Sequence, residues 1–100
     1  MKYERILYGE IQLDEQILRE NNIYHNMELE YYKIKNNNEN KMYGIEIVKR
    51  EYINNEIQEE NKYIKELTKS EETVENLLEK LKKNIVTPTS LEYIITDMFK

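Results

Sequence analysis

The chain has 100 residues, a formal net charge of −5 and no cysteine. Without cysteine, disulfides, thiolate metal ligands and cysteine nucleophiles are excluded. Acidic and basic residues alternate along the chain without a basic run, so the clustered cations that nucleic acids and anionic membranes attract are missing. We therefore expect neither nucleic acid nor membrane as a partner.

The length and the lack of a Gly/Pro/Ser-rich linker predict one domain over residues 1–100. No apolar run approaches the roughly 20 residues that span a bilayer. The start of the chain, Met1–Arg5, has no apolar core of the kind a signal peptide needs. A cytoplasmic location is the expectation.

The N-terminal part of the chain combines extended segments with a short helix. Residues 3–13 are predicted as a strand over much of their length, because their later apolar spacing fits a strand better than a helix. Asp14 is a suitable N-cap for one helical turn. The pair Asn21-Asn22 suits the end of that turn, because asparagine tolerates the left-handed conformation.

Residues 23–35 are also predicted to be extended. Apolar side chains first alternate with glutamates, and then Tyr32 and Ile34 carry the apolar phase onto the other face. Such a switch indicates either a bulge or a strand with two useful faces.

The clearest strand pattern runs from Lys41 to Tyr52. One face carries Tyr43, Ile45 and Ile47, and the other carries Gly44, Glu46 and Val48. Asparagine-rich residues 36–40 precede this stretch and Asn54-Asn55 follows it, and both are typical of turns. Because both flanking segments also look extended, the strand is predicted to pair on both sides within an antiparallel sheet, with Tyr43, Ile45 and Ile47 toward the helices.

Residues 56–67 are predicted to return as the hairpin partner of that strand. Their many charged side chains indicate one solvated face and a position at the edge of the sheet. Ile57, Tyr63 and Leu67 share one phase of this segment, whereas Ile64 falls on the other.

The period then changes to that of an amphipathic helix. Its apolar stripe consists of Val74, Leu77, Leu78 and Leu81. Thr68 has capping-box spacing to Glu71, and Ser70 is a competing N-cap. Asn84 is predicted to end the helix.

A second helix is predicted to begin at Pro88 with Thr87 as its cap, since proline has no N–H to satisfy at the first helical position. Its stripe consists of Leu91, Ile94, Ile95 and Met98. A helix of about three turns is marginal in water, so we expect it to dock. The predicted fold class is α+β, with an antiparallel sheet of three to four strands followed by two C-terminal helices packed on one face.

Two motifs resemble those of a family of small bacterial proteins of unknown function. They are the strand Tyr43-Gly44-Ile45-Glu46-Ile47 and the tail Val86-Thr87-Pro88-Thr89-Ser90-Leu91-Glu92-Tyr93-Ile94-Ile95-Thr96-Asp97. In that family a YGIEI-type strand and a VTPxxLxxxIxD-type tail recur, and the likeness covers roughly residues 41–99. The resemblance implies a shared fold and brings no activity with it.

The titratable residues show no arrangement typical of catalysis or metal binding. His25 is the only histidine and is interpreted as a surface or strand-end side chain, because no ligand cluster surrounds it in the sequence. Asp97 is expected to face water. The paired carboxylates, which lie in charge-rich stretches or at a helix start, are Asp14/Glu15, Glu59/Glu60 and Glu71/Glu72. We therefore assign no catalytic, cofactor-binding or metal-binding residue.

The chain contains nine tyrosines and one phenylalanine. Tyrosine fills half-buried strand positions, and it is also enriched at binding surfaces, where its ring and hydroxyl suit a partly wet contact. The leading hypothesis is a small non-enzymatic cytoplasmic module that binds a protein partner or itself. The alternative is a small-ligand binder or enzyme with a pocket between the sheet and the helices.

Overall fold

A computed structural model of the chain describes residues 3–20, 22, 25–37 and 40–98. In chain order its elements are β1 (Tyr3–Gln12), α1 (Glu15–Glu20), β2 (Asn26–Asn36), β3 (Tyr43–Ile53), β4 (Glu56–Thr68), α2 (Glu71–Lys83) and α3 (Pro88–Met98). The strands form one antiparallel sheet in the order β1-β2-β3-β4. The α+β class is confirmed, and β3 pairs on both sides as its pattern predicts.

One face of the sheet is packed against α2 and α3, and we call it the covered face. Ile45 and Ile47 lie on it and are fully buried, with Tyr43 packed alongside. The rest of this core consists of Leu29, Tyr31, Val74, Leu77, Leu78, Leu81, Val86, Leu91 and Ile95. Fully burying one such aliphatic side chain contributes about 1.5–3 kcal/mol, so this face supplies most of the apolar burial. The predicted stripe of α2 is confirmed.

Tyr31 links the sheet to the connection between the two long helices. Its side chain is fully buried, and its hydroxyl donates a 2.8 Å hydrogen bond to the carbonyl of Val86. Burial raises the pKa of the Tyr31 phenol well above its ordinary value. The most buried tyrosine of the described chain therefore has a structural role.

The start of α2 settles the choice between two predicted caps. The Ser70 hydroxyl accepts a 3.1 Å hydrogen bond from the backbone N–H of Thr73, so Ser70 is the N-cap. Thr68 lies two residues before this cap, and its hydroxyl accepts a 3.1 Å hydrogen bond from the Ser70 N–H.

The end of α2 agrees with the predicted stop at Asn84, which is the C-cap. The next residue, Ile85, adopts the left-handed conformation with φ 53°. Its N–H donates to Lys82 and the Val86 N–H donates to Leu81, at 3.1 and 3.0 Å. These two bonds form a Schellman motif, with isoleucine at the position that usually holds glycine.

The C-terminal helix docks as expected. Pro88 is its first residue, and the Ser90 N–H donates a 3.1 Å hydrogen bond to the Thr87 carbonyl. Leu91 and Ile95 are buried in the core, and α3 contacts β3 and β4. The side chain of Met98, the last member of the predicted stripe, lies outside the described part of the structure.

The short helix α1 follows the predicted turn at Asp14, whose carbonyl accepts a 3.0 Å hydrogen bond from the Leu18 N–H. Asn22 has φ 58°, consistent with a helix end, while Asn21 lies outside the described residues. Leu18 packs with Leu13 and Met27 in a small second cluster on the same side of the sheet as α2.

The apolar phase switch in β2 reflects two useful faces, because β2 pairs regularly with β3 throughout. The bulge lies instead in β1. Leu7 pairs with Tyr32 and Gly9 with Tyr31, which leaves Tyr8 as the extra residue. Tyr8 packs on the covered face, and its hydroxyl donates a 2.7 Å hydrogen bond to Glu79 of α2.

The hairpin of β3 and β4 begins as predicted, with Asn54 and Asn55 at φ 51° and 65°. The other end of this hairpin is irregular. Between the pairs Ile45–Ile64 and Tyr43–Thr68, β3 has one residue and β4 has three, so β4 contains two extra residues. This irregularity brings Leu67 onto the covered face together with Ile64, and not into phase with Tyr63 as the sequence suggests.

The backbone of this β4 irregularity lies against Gly44. A Cβ atom built on Gly44 would stand 2.0 Å from the Ile64 carbonyl oxygen. The buried Asn36 side chain donates to the carbonyls of Met42 and Lys65, at 2.8 and 2.7 Å. Of the predicted turn 36–40, residues 38 and 39 lie outside the described part.

Candidate binding surface on the open sheet face

The sheet face away from the helices is called the open face. The described helices all pack on the other side, through the two apolar clusters. Strand pairing aligns the open-face side chains in rows, namely Arg5–Ile34–Gly44, Leu7–Tyr32–Glu46–Tyr63, Glu10–Glu30–Val48–Asn61, Gln12–Glu28–Arg50–Glu59 and Asn26–Tyr52–Ile57. Each row crosses three or four strands, so residues distant in sequence meet on one surface.

Large apolar and aromatic side chains remain accessible on this face. The exposed fractions are 49% for Leu7, 40% for Tyr52, 63% for Ile57 and 51% for Tyr63. Leu7 and Tyr63 stand at the two ends of one row, with Tyr32 and Glu46 between them. The combination of apolar surface and hydroxyl groups is typical of a protein-binding patch.

A cleft of about 600 Å³ lies on the open face. Its lining residues are Tyr3, Glu4, Arg5, Ile34, Glu46, Asn61 and Tyr63. The Arg5 guanidinium lies 4.1 Å from the centroid of the Tyr32 ring, and the Lys65 ammonium lies 4.5 Å from that of Tyr3. These cation–π contacts pair a cation of one strand with an aromatic ring of another at or beside the cleft.

A buried carboxylate forms the floor of this cleft. Glu46 is only 7% exposed, and it accepts hydrogen bonds from the Arg5 guanidinium at 3.0 Å and the Asn61 amide at 2.8 Å. The hydrogen bond to Glu46 raises the pKa of Arg5 above its ordinary value. Glu46 therefore joins the first and last strands of the sheet through side chains.

The other half of the open face is an ion-pair network around Arg50. Its guanidinium pairs with Glu30, with Glu59 at 2.8 Å and with Glu28 at 3.7 Å. The hydrogen bond to Glu30 raises the pKa of Arg50. The Tyr52 hydroxyl donates to Glu28 at 2.8 Å, and this bond raises the pKa of the phenol. One arginine faces three glutamates in this network, so this half of the open face keeps a negative net charge.

His25 immediately precedes β2, in agreement with the strand-end interpretation. Its Nε2 pairs with the carboxylate of Glu51. The same carboxylate forms an ion pair with the Lys49 ammonium at 2.8 Å. Within the described ranges, no three His, Cys, Asp or Glu residues are grouped to hold a metal ion.

The sequence-adjacent carboxylates are separated by the structure. Glu59 pairs with Arg50 on the open face, whereas Glu60 pairs with Lys49 at 3.0 Å on the covered side. Glu71 pairs with Lys33 at 2.8 Å, and this hydrogen bond lowers the pKa of Glu71. Lys33 thereby ties β2 to the first turn of α2.

The remaining carboxylates that the sequence singles out lie at helix ends or in solvent. Asp14 precedes α1, and nothing is described of the Glu15 side chain beside it. Glu72 is exposed in the first turn of α2, and Asp97 is exposed on α3.

Sequence reasoning missed Arg5, Glu46 and Asn61 as members of one cluster. The strand period does place Glu46 opposite Ile45 and Ile47, which is the signal that was available. Its contacts with Arg5 and Asn61 cannot be predicted from the sequence, because they depend on how strands that lie far apart in the chain are paired.

The fold and this surface define a small α+β domain with one face of its antiparallel sheet left open. The chain belongs to a family of unknown function, DUF6514, whose family model matches residues 11–100. No curated protein and no solved structure gives a significant match. The expected relationship to a family of unknown function is confirmed. In the described ranges, none of the helices has the length and apolar character needed to cross a bilayer.

Proposed function

We propose that the chain is a non-enzymatic cytoplasmic module that binds a protein partner through the open face. The observation that supports this most is the row from Leu7 to Tyr63, in which exposed apolar groups flank a carboxylate whose two oxygens each accept a hydrogen bond. Apolar anchors next to preformed polar contacts are the usual composition of a protein interface.

The charged half of the face suits the rim of such an interface. Glu28, Glu30 and Glu59 already surround Arg50, so a partner meets an ordered surface whose polar groups are satisfied. An ordered surface reduces the entropy that binding would otherwise cost. The carboxylates of this half act, on our proposal, as structural acceptors and not as acid–base catalysts.

Nucleic acid and membrane remain unsuitable partners on this proposal. Arg5 and Arg50, the arginines of the open face, are both paired with carboxylates, and the whole chain carries a net charge of −5. A protein binds a polyanion when its unpaired cations neutralise the phosphates and release the condensed counterions into solution. We expect no appreciable binding to single- or double-stranded DNA or RNA at physiological salt in a fluorescence-anisotropy titration.

The cleft supports a second candidate, the binding of a small ligand. Its volume of about 600 Å³ lies within the usual range for ligand sites, although it opens on the open face and not between sheet and helices. Asn61 and Arg5 would supply hydrogen bonds to such a ligand. Native mass spectrometry of the purified protein would then show a small-molecule adduct that Asn61→Leu removes.

The leading proposal is tested with two matched tyrosine variants. Tyr63→Ser removes an exposed ring from the open face, and Tyr93→Ser removes one from α3, where Tyr93 is 80% exposed. Each variant and the original protein are immobilised, exposed to the native cytoplasmic extract, and compared by quantitative mass spectrometry of the retained proteins.

We expect a retained partner to be reduced at least tenfold by Tyr63→Ser, because interface tyrosines often contribute about 1.4 kcal/mol or more. Tyr93→Ser should retain it fully. Equal retention by both variants would contradict a role for the open face.

A further inference from the structure

The free edge of β4 has a defined pattern of backbone groups. Among the described strands, β4 pairs only with β3. The two-residue turn makes Ile53 and Glu56 a hydrogen-bonded pair, and such pairs then alternate along the ladder. The backbone N–H and C=O groups that face outward therefore belong to Ile57, Glu59, Asn61 and Tyr63.

We propose that β4 pairs with β4 of a second copy of this chain, antiparallel and about a two-fold axis at Asn61. In this register the two Asn61 residues form the central hydrogen-bonded pair. Glu60 then lies directly opposite Lys62 of the second copy, and the same contact occurs twice by symmetry. Opposite charges directly across two strands stabilise their pairing.

The order of charges selects this register over its neighbours. Moving the axis by one residue places Glu60 against Glu60 or Lys62 against Lys62. An axis at Glu59 brings two Glu59 side chains together, and an axis at Tyr63 leaves Lys62 opposite Ile64. Like charges directly opposite are destabilising, and among these registers only the one centred on Asn61 pairs Glu60 with Lys62. Its own like-charge contact, Glu56 with Glu66, falls where β4 has already left the regular ladder beyond Ile64.

The intramolecular ion pairs continue this arrangement on both sides. Within one chain, Lys49 contacts Glu60 at 3.0 Å and Lys62 contacts Glu92 at 3.2 Å. Pairing would therefore create a line of alternating charges running from Lys49 and Glu60 of one copy to Lys62 and Glu92 of the other. Charges on an edge strand often prevent pairing, but this order favours one specific partner.

The pairing would join the two sheets into one of eight strands. Because the two-fold axis is perpendicular to the sheet, both open faces would lie on the same side and the partner surface would double. The inference uses the free edge and does not depend on what the open face binds, so either proposal can fail without the other.

The test is a charge exchange read by sedimentation velocity. Lys62→Glu makes both cross-strand contacts acidic, and Glu60→Lys makes both basic. An equimolar mixture of the two variants restores opposite charges at both contacts, although each chain still lacks one of its own ion pairs. Lys69→Glu, an exposed site in the linker before α2, is the matched control, and circular dichroism confirms that every variant is folded.

We expect the original chain and Lys69→Glu to dimerise with a dissociation constant in the roughly micromolar to hundred-micromolar range of small interfaces. Each single variant should raise that constant about tenfold or more, and the mixture should return to the original value. A chain that stays monomeric at about 0.5 mM would overturn the proposal. So would a dimer that neither variant weakens, or a mixture that shows no recovery.

Discussion

The two faces of the sheet are built from the same strands and differ in what holds them. On the covered face, Ile45 and Ile47 are fully buried against helices that the sequence makes amphipathic. On the open face, Glu46 and Arg50 are held by ion pairs, and exposed rings stand around them. Because side chains alternate along a strand, neighbouring residues serve different purposes. In β3 the odd-numbered residues lie on the covered face and the even-numbered residues on the open face. We therefore expect substitutions at odd positions to affect mainly stability, and substitutions at even positions to affect mainly binding.

The largest expected effect separates two isoleucines on paired strands. Ile45→Asp places an unpaired charge in the fully buried core, and its cost is comparable to the entire stability of a small domain, about 5–15 kcal/mol. The variant should be unfolded by circular dichroism. Ile57→Asp, at a site that is 63% exposed, should melt within a few degrees of the original chain. A cooperatively melting Ile45→Asp protein would remove the covered face from the centre of the core.

The next effect sharpens the comparison by finding a structural position on the open face. Gly44→Ala directs a Cβ into the carbonyl oxygens of Ile64 and Lys65, which belong to backbone and do not move easily. We expect a loss of about 3 kcal/mol or more in urea unfolding. For Gly9→Ala the three nearest atoms all belong to the flexible Lys82 side chain, the first at 3.1 Å, so this variant should cost far less. Equal midpoints for the two variants would contradict the close approach at Gly44.

A smaller effect distinguishes two tyrosine hydroxyls. Tyr31→Phe leaves the buried Val86 carbonyl without its partner, which should cost about 1–3 kcal/mol. Tyr63→Phe, on the open face, should leave the free energy of unfolding unchanged. Urea titrations of the two variants make the comparison, and an unchanged Tyr31→Phe midpoint would show that the helix connection does not depend on this hydroxyl.

The smallest effect concerns acid. The hydrogen bond from Lys49 lowers the pKa of the Glu51 carboxyl below its ordinary value of 4.5. A carboxylate with a lowered pKa stabilises the fold above its unfolded-state pKa, and this contribution is lost as the pH falls through the folded-state value. Glu51→Gln should therefore lower the urea midpoint at neutral pH, and the two midpoints should converge once the pH has fallen through the lowered folded-state pKa of Glu51.

The matched control for this acid effect is Glu56→Gln, at the exposed start of β4. Its midpoint should follow that of the original chain at every pH. A constant difference between Glu51→Gln and the original chain, from neutral to acid pH, would show that the ion pair is not the source of the effect.

The comparison also explains which features the sequence predicts. The apolar alternation of Ile45 and Ile47, the stripe of α2 and the position of Pro88 are local patterns, and local patterns specify the elements and the covered face. The Arg5–Glu46 contact joins residues 41 apart, and the sequence contains no local signal for it.

The irregular end of β4 shows the same limit. The two extra residues are held by the Asn36 side chain, whose bond to the Lys65 carbonyl spans 29 residues. Periodicity assigns Leu67 to the phase of Tyr63, because a period of two cannot register residues that leave the ladder. The alternation of Glu46 and Val48 with Ile45 and Ile47 therefore predicts which residues of β3 lie on the open face. It does not predict the cleft on that face.

The most direct test of the open face as the binding surface is site-specific photo-cross-linking in cells. A p-benzoylphenylalanine is placed at the position of Tyr63, on the open face, or of Tyr93, on α3; both tyrosines are exposed. We expect position 63 to give a discrete cross-linked species that contains a second protein and is not only a dimer of this chain, and position 93 to give none. Cross-linking at position 93 alone, or at both positions equally, would contradict this expectation.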